Sequence, residues 1–170
     1  MKTRIISAAV GLVLLGVVLY FFNTPVLDAA VALLSVIAVH EFVHAAGLSK
    51  HRLLEAVCLI FGAAFSTVYF NIFSGITFLA ELIFAGILMI MLLFDHKELE
   101  VGRVAFVFMV SALVPRAFSM LLLYREYESP VCYYLVGLSL CAAWLNDIFA
   151  YFSGYFFGKK KLCPEISPKK

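Results

Sequence analysis

Asn146 and Asp147 lie within an apolar stretch that runs from Trp144 to Gly158, and Lys159, Lys160 and Lys161 follow at once. A carboxylate is expensive in hydrocarbon, and where one occurs it usually faces a bundle interior or a wet cavity. Asp147 stands twelve residues before Lys159, roughly 18 Å along a helix. An oxygen ligand at one level and ammonium groups at another suit an anionic, phosphate-bearing molecule at a membrane edge. The plain structural alternative is an Asn-Asp pair bonded to neighbouring helices, with lysines that only fix topology.

The surrounding pattern favours a binding groove. Ala142, Asn146, Ala150, Gly154 and Gly158 recur every four residues, a small-residue stripe that permits close approach of a helix or a substrate. Asp147, Tyr151 and Tyr155 form the adjacent row, and the chain then runs through Pro164, Ser167, Pro168, Lys169 and Lys170.

A second group is His40-Glu41-Phe42-Val43-His44. On a helix both imidazoles share a face and could bind one Zn²⁺, with Glu41 activating a water, as in zinc metalloproteases. Zinc also needs a third protein ligand, and the best-placed carboxylates in other apolar segments are only Glu81 and Asp147. The chain has no Asp-Gly pair of the kind intramembrane proteases use, and histidines are at home near an interface marked by Lys50 and Arg52. Elsewhere, Pro115 can kink its segment, and Arg116 must find a carboxylate, a headgroup or water; Asp147 and Glu81 are both open as partners. Asp28 and the Arg125, Glu126 and Glu128 loop read as solvated groups near the outer face.

The elements that must carry these groups are membrane helices. Of 170 residues 64% are hydrophobic and only 14% charged, with a mean hydropathy of +1.03. A soluble domain has about half its residues apolar and about a quarter charged. Six apolar segments of bilayer length are expected: Ile5–Phe22, Val26–Leu48, Leu53–Phe70, Ile76–Phe94, Val104–Tyr124 and Val131–Phe157. The first resembles a signal peptide, but it is too long and lacks an Ala-x-Ala site, so it reads as a span. Breaks at Asn23–Pro25, Ser49–Arg52, Asn71–Gly75 and Ser129–Pro130 carry turn residues. Only helices and closed barrels satisfy the backbone in lipid. The expected fold is therefore an all-α, polytopic transmembrane bundle of about six spans in one integral membrane domain, residues 1–170.

Lysines and arginines at positions 2, 4, 50, 52, 97, 103, 159, 160, 161, 169 and 170 fall on one side of this arrangement, against Arg125 on the other. The positive-inside rule then puts both termini in the cytoplasm of a multi-pass cell-membrane protein. A net charge of +2 gives no reason to expect nucleic acid. The four cysteines have no metal-like spacing and suggest no disulfide framework.

The run from Trp144 to Lys170, with Asn146-Asp147, Phe149-Ala150-Tyr151-Phe152, Gly154, Phe157-Gly158-Lys159, Lys161-Leu162, Pro164 and Ile166-Ser167-Pro168-Lys169-Lys170, resembles the central region of bacterial phosphatidate cytidylyltransferases. The start, Met1 to Ala8, is similar as well, and Glu41-Phe42 matches a pair that family often carries. The resemblance implies a helical membrane enzyme that joins CTP and phosphatidate into CDP-diacylglycerol and pyrophosphate, with Mg²⁺ as cofactor and a homodimer as one option for its assembly. It implies that Asp147 holds the metal, that Lys159, Lys161, Ser167, Lys169 and Lys170 contact phosphates, and that Asn146, Tyr151, Gly154 and Gly158 shape the pocket. Family members continue past Ser-Pro-Lys-Lys to a carboxylate-rich signature that completes the metal site. The chain thus resembles the first two-thirds of such an enzyme, and as a fragment it is expected to lack a complete catalytic centre. Two other readings stand beside it: an intramembrane zinc protease using His40, Glu41 and His44, and a non-catalytic protein that binds anionic lipid through its lysines.

Overall fold

The computed structural model describes residues 2–67 and 75–158. Those residues form helices α1 (Lys2–Tyr20), α2 (Pro25–Ala45), α3 (Arg52–Thr67), α4 (Gly75–Phe94), α5 (Val101–Leu123) and α6 (Val131–Phe157), with a single 3-10 turn at Tyr124–Glu126. No strand occurs among them. Among the described residues four stretches are long and apolar enough to cross a membrane: Pro25–Ala45, Gly75–Phe94, Val101–Glu126 and Val131–Phe156. This is a multi-pass helical membrane architecture. Each helix lies within a few residues of an expected span. As described, α3 has 16 residues and reaches only about 24 Å, and the expected continuation to Phe70 lies outside the described residues.

The helix ends follow from local chemistry. At the start of α2, Pro25 occupies the first turn, where its missing N–H costs nothing. The Thr24 hydroxyl accepts from the Val26 N–H at 3.3 Å. At its end, Gly47 adopts a positive φ of 74°. The Leu48 N–H then donates back to Val43 O (3.1 Å) and the Gly47 N–H to His44 O (3.0 Å). This reversal satisfies carbonyls that the helix end would leave open. It also returns Leu48 to the interior, where it is buried with Val43.

The chain forms two compact units, Met1–Glu126 and Tyr127–Lys170. The centre of the first is a three-helix contact among α2, α3 and α5, with α4 and α1 added at its sides. Val39 and Val43 of α2, Leu54 and Cys58 of α3, Phe84 and Leu88 of α4, and Val104 and Val107 of α5 share its core. Phe84 stacks on Phe61, their rings 3.9 Å apart and nearly parallel, and on Phe108 at 5.7 Å. Gly62 marks a close approach between helices. A Cβ there would stand 3.2 Å from Val39 Cγ2 and 3.6 Å from the Pro115 ring. Small residues let helix backbones approach in lipid, where packing rather than the hydrophobic effect drives association.

The second unit is built on α6, 27 residues long. Gly158 ends that helix, and its N–H donates to Gly154 O at 3.1 Å. A Cβ on Gly158 would lie 2.2 Å from that same oxygen, so only glycine fits.

Candidate functional site

Helix α6 carries the residues whose chemistry opened the sequence reading. Asn146, Asp147, Tyr151, Gly154 and Gly158 are all exposed. The Tyr151 and Tyr155 rings, one turn apart, stack with centroids 6.5 Å apart and planes 11° off parallel. The four-residue spacing thus becomes an aromatic row, with Asp147 one turn before Tyr151. Beside it, Gly154 has open space where a side chain would stand. Ser153 turns its hydroxyl to the Phe149 and Ala150 carbonyls, so it is committed to its own helix. Lys159, Lys161, Ser167, Lys169 and Lys170 lie outside the described residues.

Asp147 makes no ion pair among the described residues, although five other carboxylates on the chain face a histidine or arginine and one, Glu81, meets an arginine inside the apolar region. It also belongs to no group of three or more metal-capable side chains among those residues. Mg²⁺ is commonly held by one or two protein carboxylates and completes its octahedron with water and substrate phosphates. A single exposed carboxylate fits that ion, whereas zinc requires three or four protein ligands.

The first unit answers the question left open for Arg116. Its guanidinium meets Glu81 of α4, Nη2 to Oε1, at 2.6 Å. It also lies over the Phe65 ring, 5.1 Å from the centroid, a geometry in which the ring face attracts the cation. Pro115, one residue before, packs its ring toward Gly62. The pair therefore ties α4 to α5 within the apolar part of the unit.

The His40 and His44 rings are 6.5 Å apart on α2. His40 Nδ1 is engaged by Glu55 Oε1 of α3 at 2.6 Å, a helix-to-helix bond that the local spacing did not reveal. Neither histidine joins a metal-capable group among the described residues, and Glu41 is exposed. The metalloprotease-like pattern thus resolves into a contact between α2 and α3.

Glu126 and Glu128 are exposed, as expected of solvated groups, but Arg125 and Asp28 depart from that expectation. Arg125 donates from Nε to Phe22 O (2.9 Å), from Nη2 to Thr24 O (2.7 Å) and from Nη1 to Asp28 Oδ2 (2.8 Å). Asp28 sits in the first turn of α2, where a negative charge also complements the helix dipole. The planar guanidinium matches three acceptors at once.

Helical segments able to span a bilayer, with a partly covered Glu81–Arg116 pair between two of them and a carboxylate on a third, define a polytopic membrane protein. Residues 2–170 match the model of the Cytidylyltransferase family, and the chain belongs to that family. Relatives include the phosphatidate cytidylyltransferase of Thermotoga maritima, 27% identical over 172 aligned residues, covering 100% of this chain and 61% of that protein. Those of Aquifex aeolicus (32% identical; 55% of this chain, 34% of that protein) and Rickettsia bellii (28%; 62% and 50%) are also similar. The chain therefore spans between about a third and three-fifths of the length of these relatives. No solved structure matches it significantly.

Proposed function

We propose that this chain contributes the membrane-embedded substrate platform of a phosphatidate cytidylyltransferase. The observation that carries the reading is Asp147, an exposed carboxylate without an ion pair among the described residues, on an apolar helix of a cytidylyltransferase-family chain. In the proposed reaction a phosphate oxygen of phosphatidate attacks the α-phosphorus of CTP. The bond to the β-phosphate bridge breaks, and pyrophosphate leaves. Two polyanions must meet, so positioning and charge neutralisation carry most of the catalysis.

Asp147 would hold Mg²⁺, which supplies charge compensation to the phosphates when bound. Lys159, Lys161, Lys169 and Lys170 would contact phosphate oxygens as point charges, with Ser167 as a hydroxyl donor. Asn146, Tyr151, Gly154 and Gly158 would shape the groove that admits the lipid. The distribution of lysines and arginines supports an orientation with both termini in the cytoplasm, where CTP is found.

Phosphatidate binding to the chain in nanodiscs, titrated with and without CTP and Mg²⁺, tests the proposal. CTP with Mg²⁺ should strengthen binding in the wild type, and Asp147→Asn should abolish that gain. Binding that ignores both CTP and Asp147→Asn would leave only an anionic-lipid-binding protein. Membranes containing the chain should be assayed in parallel for CTP-dependent release of pyrophosphate.

A further inference from the structure

His51 lies in the turn between α2 and α3, and Asp95 and Glu98 lie in the turn between α4 and α5. The two turns meet at one end of the first unit. There His51 Nδ1 stands 3.2 Å from Asp95 Oδ2, and His51 Nε2 stands 3.9 Å from Glu98 Oε2. One ligand atom from each residue can be chosen so that all three lie within 4.8 Å of one another.

Backbone bonds fix the positions of both turns. The His51 N–H donates to Leu48 O at 3.0 Å, and His51 O accepts from the Glu55 N–H at 3.0 Å. Asp95 O accepts from the Glu98 and Leu99 N–H groups at 3.1 and 2.9 Å. Leu48 and Leu99, which flank the cluster, are both buried in the core. The His51 side chain is itself largely covered, at 17% exposure.

This arrangement is electrostatically incomplete. A neutral imidazole has one N–H and one lone pair, so it can donate to only one of the two carboxylates and turns its lone pair toward the other. Among the described residues no lysine or arginine pairs with either Asp95 or Glu98. Asp95 and Glu98 are partly open to water, at 48% and 72% side-chain exposure, and a proton on the ring or a metal cation would add compensation. A proton on the ring leaves the trio with a net single negative charge, whereas a divalent cation beside the neutral ring balances both carboxylates.

The separation is compatible with a cation as well as with a direct hydrogen bond. Two ligands about 2.0–2.1 Å from a tetrahedral ion stand about 3.3 Å apart, close to the 3.2 Å between Nδ1 and Oδ2. Glu98 is exposed and can complete the set by side-chain rotation. One imidazole nitrogen and two carboxylate oxygens suit zinc or a similar borderline divalent ion, with water in the remaining position.

We propose that His51, Asp95 and Glu98 form a divalent-cation site that ties the α2–α3 turn to the α4–α5 turn. It is separate from Asp147 and does not depend on the proposed transferase reaction. Its role is to brace two loops at one end of the helical bundle.

The test uses detergent-purified chain, freed of affinity tag and stripped with chelator, then titrated with Zn²⁺ alone. A background carrying His40→Ala and His44→Ala removes the other histidine pair. In that background one Zn²⁺ per chain should bind, and thermal unfolding should shift upward with added Zn²⁺. His51→Ala should abolish both effects, and Glu98→Gln should weaken binding at least tenfold without changing the unfolding temperature of the metal-free protein. Co²⁺ should give visible absorption that Glu98→Gln alters, a readout that remains informative if His51→Ala fails to fold. Zinc binding that disappears with His40→Ala and His44→Ala, or that persists unchanged in Glu98→Gln, would overturn the proposal. So would a cluster stabilised by acid and indifferent to Zn²⁺, which would make it a protonated clasp.

Discussion

The guanidinium of Arg125 donates from all three of its nitrogens, to two backbone carbonyls of the α1–α2 turn and to Asp28. A lysine at that position brings a charge but a single nitrogen, which cannot reproduce the fork. Arg125→Lys should therefore lower stability by about 1–3 kcal/mol, since partly buried carbonyls lose their donors. Thermal unfolding in detergent would measure the loss, and Asp28→Asn should lose less because both carbonyl contacts survive. None of this was legible in the sequence. Residues 28 and 125 are 97 positions apart, and each taken alone is an ordinary charge near a helix end. His40 misled in the opposite way, because a local pattern supplied a ready metal partner in His44 while the actual partner, Glu55, lay on the next helix. Asp147 was different: its exceptional feature is a charge in an apolar run, and that is a property of the sequence itself.

At the scale of helices, the Glu81–Arg116 pair sets how α4 meets α5. The side chains are only 23% and 26% exposed, so removing one partner leaves the other charge poorly compensated. Glu81→Gln should cost on the order of 2–4 kcal/mol. Replacing both residues together, Glu81→Leu with Arg116→Met, should recover much of that loss, since an apolar pair carries no desolvation penalty. A double-mutant cycle built from Glu81→Leu, Arg116→Met and the two together, read as unfolding free energies, checks this, and a double-variant loss equal to the sum of the two single losses would show that the pair contributes nothing. The helices themselves were readable from hydropathy length and from turn residues such as Thr24-Pro25 and Gly47. Their partners were not. Hydropathy states that Arg116 needs a counter-charge but leaves Glu81 and Asp147 equivalent, and only packing distinguishes them.

For the whole molecule, the apolar excess required a membrane, and the run from Trp144 to Lys170 carried the family resemblance that the match over residues 2–170 supports. The proposed site rests on the chemistry of α6 and the lysines that follow it. If Asp147 serves the proposed reaction, Asp147→Asn should leave the unfolding free energy within about 0.5 kcal/mol of wild type, as expected for an exposed substitution. It should at the same time remove the Mg²⁺-dependent gain in nucleotide-linked phosphatidate binding. Parallel unfolding and binding titrations separate the two effects. A large loss of stability would instead make Asp147 a structural residue.

Gly62 has a consequence for genetics. Its neighbours are a β-branched valine and a proline ring, both stiff, so they yield little to an inserted side chain. Gly62→Val should cost about 1–3 kcal/mol by overpacking, a large share of the margin on which a folded domain rests. A penalty of that size would be tolerated in the cold and become decisive on warming. The position is thus a natural place to make a temperature-sensitive allele, one that withdraws the protein from a living cell on demand while leaving every charged group in place.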